Sequence, residues 1–238
     1  MPNCAILLAG GSGRRMRGAV KDKVLEPLFG MPVILHSFKA FADSGKIGEV
    51  VFVCRDELQQ RKISAALKKF FPKCRLSVKF TNGGAERQDS VLNGLDAATD
   101  KSALAFIHDG ARPLITPQNV SELAETAEKD GAAVLARRVS DTIKRIPKGK
   151  KNLSKCMLAD LDRKRLWAME TPQVFICSEI RNAYRFVRKN KLAVTDDVAA
   201  AAACGIRVSI TENLSPNVKI TVPEDIAFIE FLKTRQPK

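Results

Sequence analysis

Histidine, tryptophan and tyrosine are scarce in this sequence, and their scarcity argues against several kinds of site. The 238 residues include two histidines, one tryptophan and one tyrosine. The six cysteines are widely spaced and form no C-x-x-C pair, so we expect buried thiols in a reducing compartment rather than a zinc site. One tryptophan and one tyrosine give poor support to the stacking platform that proteins use to bind single-stranded nucleic acid.

Long apolar segments are missing as well. The longest apolar run, residues 198–204, is alanine-rich and too short to span a bilayer, and residues 1–3 do not begin a signal peptide. We therefore predict a cytoplasmic protein with no membrane partner. Hydrophobic residues make up 45% of the chain and charged residues 28%, which is typical of a globular protein, and the length suits one α/β domain.

The chain is strongly basic, with a formal net charge of +14. Such a charge suits nucleic acid, an anionic membrane surface or small anionic substrates. The basic run at residues 148–151 contains no aromatic residue and the run at residues 185–191 contains one, Phe186, so we interpret both as solvated surface. A basic nucleic-acid-binding protein is the alternative of a different class.

Segments with strand-like and helix-like patterns alternate along the chain. Apolar, β-branched runs predict strands at residues 4–8, 50–53, 76–80, 103–107, 132–135 and 208–210. Helical spacing occurs at residues 33–42, 57–71, 90–98, 119–130, 178–188, 196–204 and 223–232. This alternation predicts a single Rossmann-like α/β domain over residues 1–238, with a mainly parallel twisted sheet that binds ligands at the carboxyl ends of its strands.

Residues 140–167 interrupt the alternation. This segment is polar, contains Pro147 and Gly149 and shows no sustained period, so it is either an extended hairpin arm or a flexible insertion. An arm of this length often contacts a neighbouring molecule. We predict a protruding β-arm that is used in dimerisation.

A glycine-rich turn, residues 8–16, follows the first predicted strand. It matches neither the dinucleotide-binding fingerprint nor the P-loop, and an ordinary tight turn would explain it. However, Arg14 and Arg15 follow the glycines, and Lys21 and Lys23 come a few residues later. Because backbone amides and clustered cations both favour anions, the segment predicts a cradle for a polyphosphate.

Two further polar motifs follow predicted strands. Asp109, in the segment HDGARP, follows the strand at residues 103–107, and a lone carboxylate in a phosphate site is a natural Mg²⁺ ligand. The alternative is that Asp109 caps the turn at Pro113. The segment GGAERQDSV follows the third strand, where Gly84 and Ser90 would suit either helix capping or contacts to a nucleobase.

Taken in order, the motifs resemble the 2-C-methyl-D-erythritol 4-phosphate cytidylyltransferases of the non-mevalonate isoprenoid pathway. The resemblance covers nearly the whole chain and rests on LLAGGSGRRM, DKVLEPL, GGAERQDSVLNGL, HDGARP, DTIK, TPQVF, TDD and NVKIT-x-PED. It implies transfer of CMP from CTP to the sugar-alcohol phosphate with Mg²⁺, release of pyrophosphate, and a homodimer. The nearest alternative is a ribitol-5-phosphate cytidylyltransferase on the same fold.

The resemblance also implies roles for individual residues. Arg15 and Lys23 match the two cations placed around the α-phosphate, with Lys21 as a rival to Lys23, and Asp109 matches the metal-binding carboxylate. The residues implied for nucleotide binding are Ala9, Gly10, Gly11, Ser12, Gly13, Gly84, Ala85, Ser90 and Ala111. Those implied for the sugar phosphate are Arg112, Thr142, Arg163, Thr171, Thr195 and Lys219, of which Thr142 and Arg163 would reach across the dimer.

Overall fold

The computed structural model describes residues 2–11, 22–149 and 152–234. Strands β1 to β11 are, in chain order, Asn3–Leu8, Pro27–Leu28, Met31–Pro32, Ile47–Cys54, Ser77–Asn82, Leu104–Asp109, Ala132–Arg138, Lys144–Arg145, Ala159–Asp160, Trp167–Ile176 and Ser209–Glu212. Helices α1 to α7 are Val33–Asp43, Glu57–Phe70, Arg87–Ala97, Pro117–Asp130, Cys177–Lys189, Asp197–Ala202 and Glu224–Thr234.

A seven-stranded sheet forms the centre of the fold, in the order β11-β7-β10-β6-β1-β4-β5. Strand β10 pairs antiparallel with both of its neighbours, and every other pairing in this sheet is parallel. Six strands therefore run in one direction, which confirms the predicted α/β fold with a mainly parallel sheet. The carboxyl ends of β1, β4 and β6 lie side by side at one edge, where such sheets bind ligands.

Helices cover both faces of the sheet, and strand alternation divides the apolar residues between the two faces. In β1, Ala5 and Leu7 pack with residues of α1, α2 and α4, whereas Cys4 and Ile6 pack with residues of α3, α5 and α6. Successive strand side chains point to opposite faces, so each strand contributes to two apolar layers. This arrangement explains why the strands read as continuous apolar runs.

Strand β10 is the main element that the sequence pattern did not predict. We predicted no strand over these residues, and that expectation is wrong because Trp167–Ile176, which includes Thr171, forms β10. Proline and several polar residues in Trp167–Ile176 argue against a strand by pattern. The structure accommodates them with a register shift between Met169 and Gln173, and with a cis peptide bond between Thr171 and Pro172.

Between β7 and β10 the chain forms a small two-stranded hairpin. Strand β8 pairs antiparallel with β9, and a short 3₁₀ helix, Arg163–Arg165, follows. Several apolar side chains of this segment are exposed, and Met157 is 88% exposed. The use of the segment in dimerisation stays a prediction.

Two expectations from composition can be compared with the described residues. Cys4, Cys54 and Cys177 are buried as expected, but Cys74 and Cys204 are exposed, so the expectation of six buried thiols is wrong. In the described part of the chain, no helix has the length and apolar character needed to cross a bilayer.

Candidate active site

The glycine-rich turn begins where β1 ends, between β4 and the start of α2. The amide of Ala9 donates to the carbonyl of Val53 at 2.9 Å, and the carbonyl of Ala9 accepts from Gln59 Nε2 at 3.2 Å. A Cβ added to Gly11 would meet no described atom within 4 Å, so the described surroundings leave room beside this backbone. The other predicted residues of this region, Ser12, Gly13, Arg15 and the rival Lys21, lie outside the described residues.

Lys23 lies in a loop that is anchored at two points. Asp22 accepts a hydrogen bond from Gln59 Nε2 at 2.7 Å, and Lys23 Nζ donates to the carbonyl of Ile220 at 2.9 Å. Ile220 directly follows Lys219. The two loops that carry the predicted lysines therefore contact each other, although they are almost 200 residues apart in the chain.

The residues predicted for the nucleobase lie together at the start of α3. The amide of Gly84 donates to Ser90 Oγ at 3.0 Å, and Ser90 Oγ donates to the carbonyl of Glu86 at 3.1 Å. A Cβ added to Gly84 would lie 2.2 Å from the Cβ of Asp89, so this close approach requires glycine. Gly84 and Ala85 are exposed. The helix-start geometry explains Ser90, and the exposed backbone beside it remains accessible to a ligand.

Asp109, the last residue of β6, is surrounded by three cationic side chains. Lys219 Nζ donates to Asp109 Oδ2 at 2.6 Å, Arg112 Nε lies 3.8 Å from Oδ2, and Arg87 Nε lies 3.8 Å from Oδ1. Burial alone would raise the pKa of Asp109, but the three cations hold it well below its ordinary value. The side chain is therefore an ionised carboxylate, and within the described residues it accepts no hydrogen bond from the backbone of the turn at Pro113.

A buried ion pair fixes one of these cations. Arg87 Nη1 and Nη2 each donate at 2.8 Å to the two carboxylate oxygens of Asp197, which is fully buried. The hydroxyl of Tyr184 donates to the same carboxylate. This bidentate geometry holds the Arg87 side chain in one orientation beside Asp109. Sequence reasoning missed Arg87 and Asp197, although both lie inside motifs that the resemblance quoted, GGAERQDSV and TDD.

His108 holds Asp109 and Arg112 through hydrogen bonds and is not available as a base. Its Nε2 lies 3.2 Å from the carbonyl of Arg112, which can only accept, so Nε2 carries the proton. Its Nδ1 then accepts from the hydroxyl of Thr171 at 3.1 Å, and that hydroxyl accepts from the amide of Asp109 at 3.1 Å. Burial lowers the pKa of His108 to about 4, so the ring is neutral.

The residues predicted for the sugar phosphate divide into two groups, one away from the hairpin segment and one on it. The first group is Arg112, Thr171, Thr195 and Lys219. Arg112 and Lys219 line one pocket of about 480 Å³ beside Asp109, and Thr171 lies buried behind it. Thr195 is exposed just before α6. Ala111, which was predicted for nucleotide binding, is buried and accepts a hydrogen bond from the amide of Ile220.

The two residues predicted to act across a dimer are exposed on the hairpin segment. Arg163 Nη1 donates to the carbonyl of Ser140 at 2.6 Å, which ties the 3₁₀ helix to the base of the segment. Among the residues that the structure describes, no hydrogen bond or ion pair connects Thr142 or Arg163 with Asp109. Within one chain, therefore, the structure does not bring these two groups together.

The doubly covered, mainly parallel sheet, with anion-accessible loops and an ionised carboxylate at its strand ends, is the architecture of an α/β nucleotidyltransferase. A family model described as IspD, 2-C-methyl-D-erythritol 4-phosphate cytidylyltransferase, matches residues 3–235. The chain belongs to this family and is a CTP-dependent nucleotidyltransferase.

Curated relatives and solved structures agree with this assignment. The chloroplastic 2-C-methyl-D-erythritol 4-phosphate cytidylyltransferase of rice is 38% identical over 95% of this chain and 73% of the relative. The Bacillus velezensis enzyme, 2-C-methyl-D-erythritol 4-phosphate cytidylyltransferase, is 36% identical over 98% of this chain and 96% of the relative. The structure of 4-diphosphocytidyl-2C-methyl-D-erythritol synthase from Anaerococcus prevotii is 25% identical, covers 98% of this chain and 96% of its own, and has a TM-score of 0.82. The structure of the Thermus thermophilus 2-C-methyl-D-erythritol 4-phosphate cytidylyltransferase is 27% identical, covers 98% of this chain and 100% of its own, and has a TM-score of 0.75.

Proposed function

We propose that this chain transfers CMP from CTP to 2-C-methyl-D-erythritol 4-phosphate in isoprenoid biosynthesis, giving 4-diphosphocytidyl-2-C-methyl-D-erythritol and pyrophosphate. The family match over residues 3–235 supports this reaction and favours neither ribitol 5-phosphate nor nucleic acid as the substrate. The single observation that carries the site assignment is the ionised Asp109 at the end of β6, surrounded by Lys219, Arg87 and Arg112.

The reaction needs electrostatic stabilisation more than a general base. The second pKa of a phosphate monoester is about 6, so the attacking phosphate is largely a dianion at neutral pH. His108 is buried and neutral, and both of its ring nitrogens are in hydrogen bonds. It therefore does not act as a general base for the attacking phosphate. Because one anion attacks another, the cations at the strand ends lower the barrier by meeting the charge on the α-phosphate and on the departing pyrophosphate.

Lys23 is our candidate for the α-phosphate, together with Arg15. The bond to Ile220 fixes the ammonium group beside the loop that carries Lys219, and the resemblance assigns the same two residue types to this role. Gly11 would contribute its amide to the triphosphate. Ala9, Gly10, Gly84, Ala85, Ser90 and Ala111 are proposed to form the nucleotide side of the crevice.

The residues around Asp109 fit one Mg²⁺ ion that is shared with the substrate. Asp109 is ionised, and its Oδ1 meets Arg87 Nε only at 3.8 Å, which is beyond hydrogen-bond distance. The described residues contain no group of three or more His, Cys, Asp or Glu side chains that could hold a metal by themselves. Mg²⁺ commonly binds one or two carboxylates plus phosphate oxygens, so Asp109 and CTP together would hold it. When bound, the ion would supply positive charge to the phosphates.

The homodimer and the cytoplasmic location stay predictions. Exposed apolar side chains on the hairpin segment, such as Leu153 and Met157, are consistent with a surface that a second copy covers. In that arrangement Thr142 and Arg163 would complete the sugar-phosphate site of the partner, while Thr171, Thr195 and Lys219 would act within the chain.

Pyrophosphate release tests the proposed reaction. The purified chain is given CTP and Mg²⁺ with either 2-C-methyl-D-erythritol 4-phosphate or ribitol 5-phosphate, and we expect release with the first alone. Lys23→Ala should lower kcat about 100-fold, because removing one pre-positioned donor to transition-state charge has an effect of this size. Lys39→Ala is the matched control, since Lys39 is an exposed lysine that pairs with Asp43 on α1.

Each other outcome has a definite meaning. Turnover of ribitol 5-phosphate alone would overturn the acceptor assignment and keep the cytidylyl chemistry. Full activity of Lys23→Ala with loss of activity in Lys21→Ala would move the catalytic role to Lys21. No release by folded protein, together with salt-sensitive binding to nucleic acid, would favour the binding-protein alternative.

A further inference from the structure

The pocket beside Asp109 contains a cation to which no role has been assigned so far. The pocket lies between the carboxyl end of β7, the start of β10, the loop before Ile220 and α7. Its polar lining residues are Arg112, Arg137, Glu170, Asn217 and Lys219. Arg137, the residue before the last of β7, is therefore part of the same pocket as two residues of the proposed sugar-phosphate site.

A buried carboxylate connects Arg137 with Arg112. Glu170 is 4% exposed, and its Oε2 accepts from Asn213 Nδ2 at 2.8 Å and from Asn217 Nδ2 at 3.1 Å. The carbonyl of Asn217 accepts from Arg112 Nη1 at 2.7 Å. The other oxygen of Glu170, Oε1, lies 3.4 Å from Arg137 Nε. The ion pair thus contacts Arg137 at Nε, and within the described part of the chain the two terminal amino groups of Arg137 donate no hydrogen bond.

Two buried polar atoms of this pocket have no hydrogen-bond partner among the described residues. They are Arg112 Nε and Asn217 Oδ1. Buried polar atoms in folded proteins are almost always paired with protein, water or ligand, so these two atoms of pocket-lining residues are expected to gain a polar partner. The three cations that line the pocket also outnumber its carboxylates, even when Asp109, the partner of Lys219, is counted with Glu170.

We propose that Arg137 is a further substrate-binding residue, whose terminal amino groups bind the phosphate of the acceptor while Glu170 holds its Nε. The proposal deepens the proposed function and rests on it, because the acceptor is the dianion that this reaction brings to the site. A guanidinium presents two parallel donors that match two phosphate oxygens, which a lysine at the same place would not do.

The next residue, Arg138, provides a matched control. Neighbouring residues of a strand point to opposite faces, and Arg138 accordingly packs over the ring of Trp167 at 4.6 Å and pairs with Glu212 at 2.9 Å. The side chains of Arg137 and Arg138 are similarly exposed, at 56% and 63%. Replacing either removes one positive charge from the same end of β7, but only Arg137 lines the pocket.

Steady-state kinetics with both substrates varied tests the proposal. Arg137→Ala should raise KM for the acceptor at least about tenfold, because it removes both charge-assisted donors to the phosphate, and should leave kcat and KM for CTP within twofold. Arg138→Ala should leave all three constants within twofold of the wild type. Arg137→Lys should restore only part of the affinity. An acceptor KM for Arg137→Ala equal to that of Arg138→Ala would overturn the proposal.

Binding of inorganic phosphate, measured by calorimetry on the same three variants and the wild type, identifies the group that Arg137 meets. We expect weaker phosphate binding by Arg137→Ala than by Arg138→Ala. Equal phosphate binding alongside a raised acceptor KM would show that Arg137 meets the hydroxyl groups, and this would overturn the phosphate assignment. Because calorimetry needs no turnover, a failure of the proposed reaction would be distinguished from a failure of the Arg137 assignment.

Discussion

The charged residues around Asp109 and those of the hairpin segment at residues 140–166 form ion pairs in opposite environments. Asp197 is fully buried and binds Arg87 through two hydrogen bonds of 2.8 Å. On the hairpin, Lys144 pairs with Asp160, but the Asp160 side chain is 86% exposed. Exposed pairs contribute about 0–1 kcal/mol, whereas breaking a buried pair costs about 3–5 kcal/mol. The fold thus fixes the cations of the crevice rigidly and leaves the cations of the hairpin to be ordered by other contacts.

The largest effect should come from neutralising the buried carboxylate. Asp197→Asn leaves Arg87 without its bidentate partner and should lower the free energy of unfolding by about 3–5 kcal/mol. The matched change on the hairpin, Asp160→Asn, should lower it by less than about 1 kcal/mol. Urea denaturation monitored by circular dichroism measures both values. Equal losses in the two variants would contradict the contrast between the regions.

The second effect concerns pH and should again arise on the buried side. Burial lowers the pKa of His108 to about 4, against about 6.5 in an unfolded chain. Between these values the unfolded state binds more protons, so His108 contributes its full stabilisation above pH 6.5 and loses it as the pH falls toward 4. The difference of about 2.5 in pKa corresponds to roughly 3 kcal/mol. The hairpin segment contains no histidine and should add nothing in this range.

Thermal melting between pH 7 and pH 4.5 measures this loss, and the other histidine provides the control. Burial lowers the pKa of His36 as well, so His36 contributes in the same direction. We expect His36→Asn to keep the larger part of the pH dependence, because His108 is fully buried whereas His36 is only half-buried. If the melting temperature of His36→Asn no longer changed with pH, the pH dependence would come from His36 and not from His108.

The same two regions show what sequence patterns can and cannot predict. Apolar runs predicted the strands at Asn3–Leu8 and Leu104–Asp109, because a buried parallel strand needs little beyond local β-branched and apolar character. Asp109 could be proposed because it directly follows such a run. The partnership of Arg87 with Asp197 could not, since the two residues are 110 positions apart and are joined by the packing of α3 against α5 and of α5 against α6.

The sequence pattern did not predict strand β10, and the reason is a different one. Its polar residues Glu170, Thr171 and Gln173 are buried because each finds a hydrogen-bond partner on another segment, and a hydropathy pattern does not register such partners. Sequence patterns therefore predicted the strands and the polar motifs at their ends, whereas the buried hydrogen bonds that orient these motifs became visible only in three dimensions.

The smallest expected effect tests whether the hairpin works in a second copy. Arg163→Ala should reduce turnover about tenfold through a higher acceptor KM while leaving the melting temperature unchanged, because Arg163 is exposed and, among the described residues, its side chain bonds Ser140 of its own segment. Asp109→Asn should abolish most turnover from within the chain. If Arg163 serves the partner's crevice, a heterodimer of the two variants contains one site with both residues intact, so random mixing should restore about a quarter of the wild-type activity. Arg163→Lys mixed with Asp109→Asn provides the conservative comparison. Activity of the mixture equal to the average of the separate variants would place Arg163 outside the partner's site and leave the hairpin with a structural role.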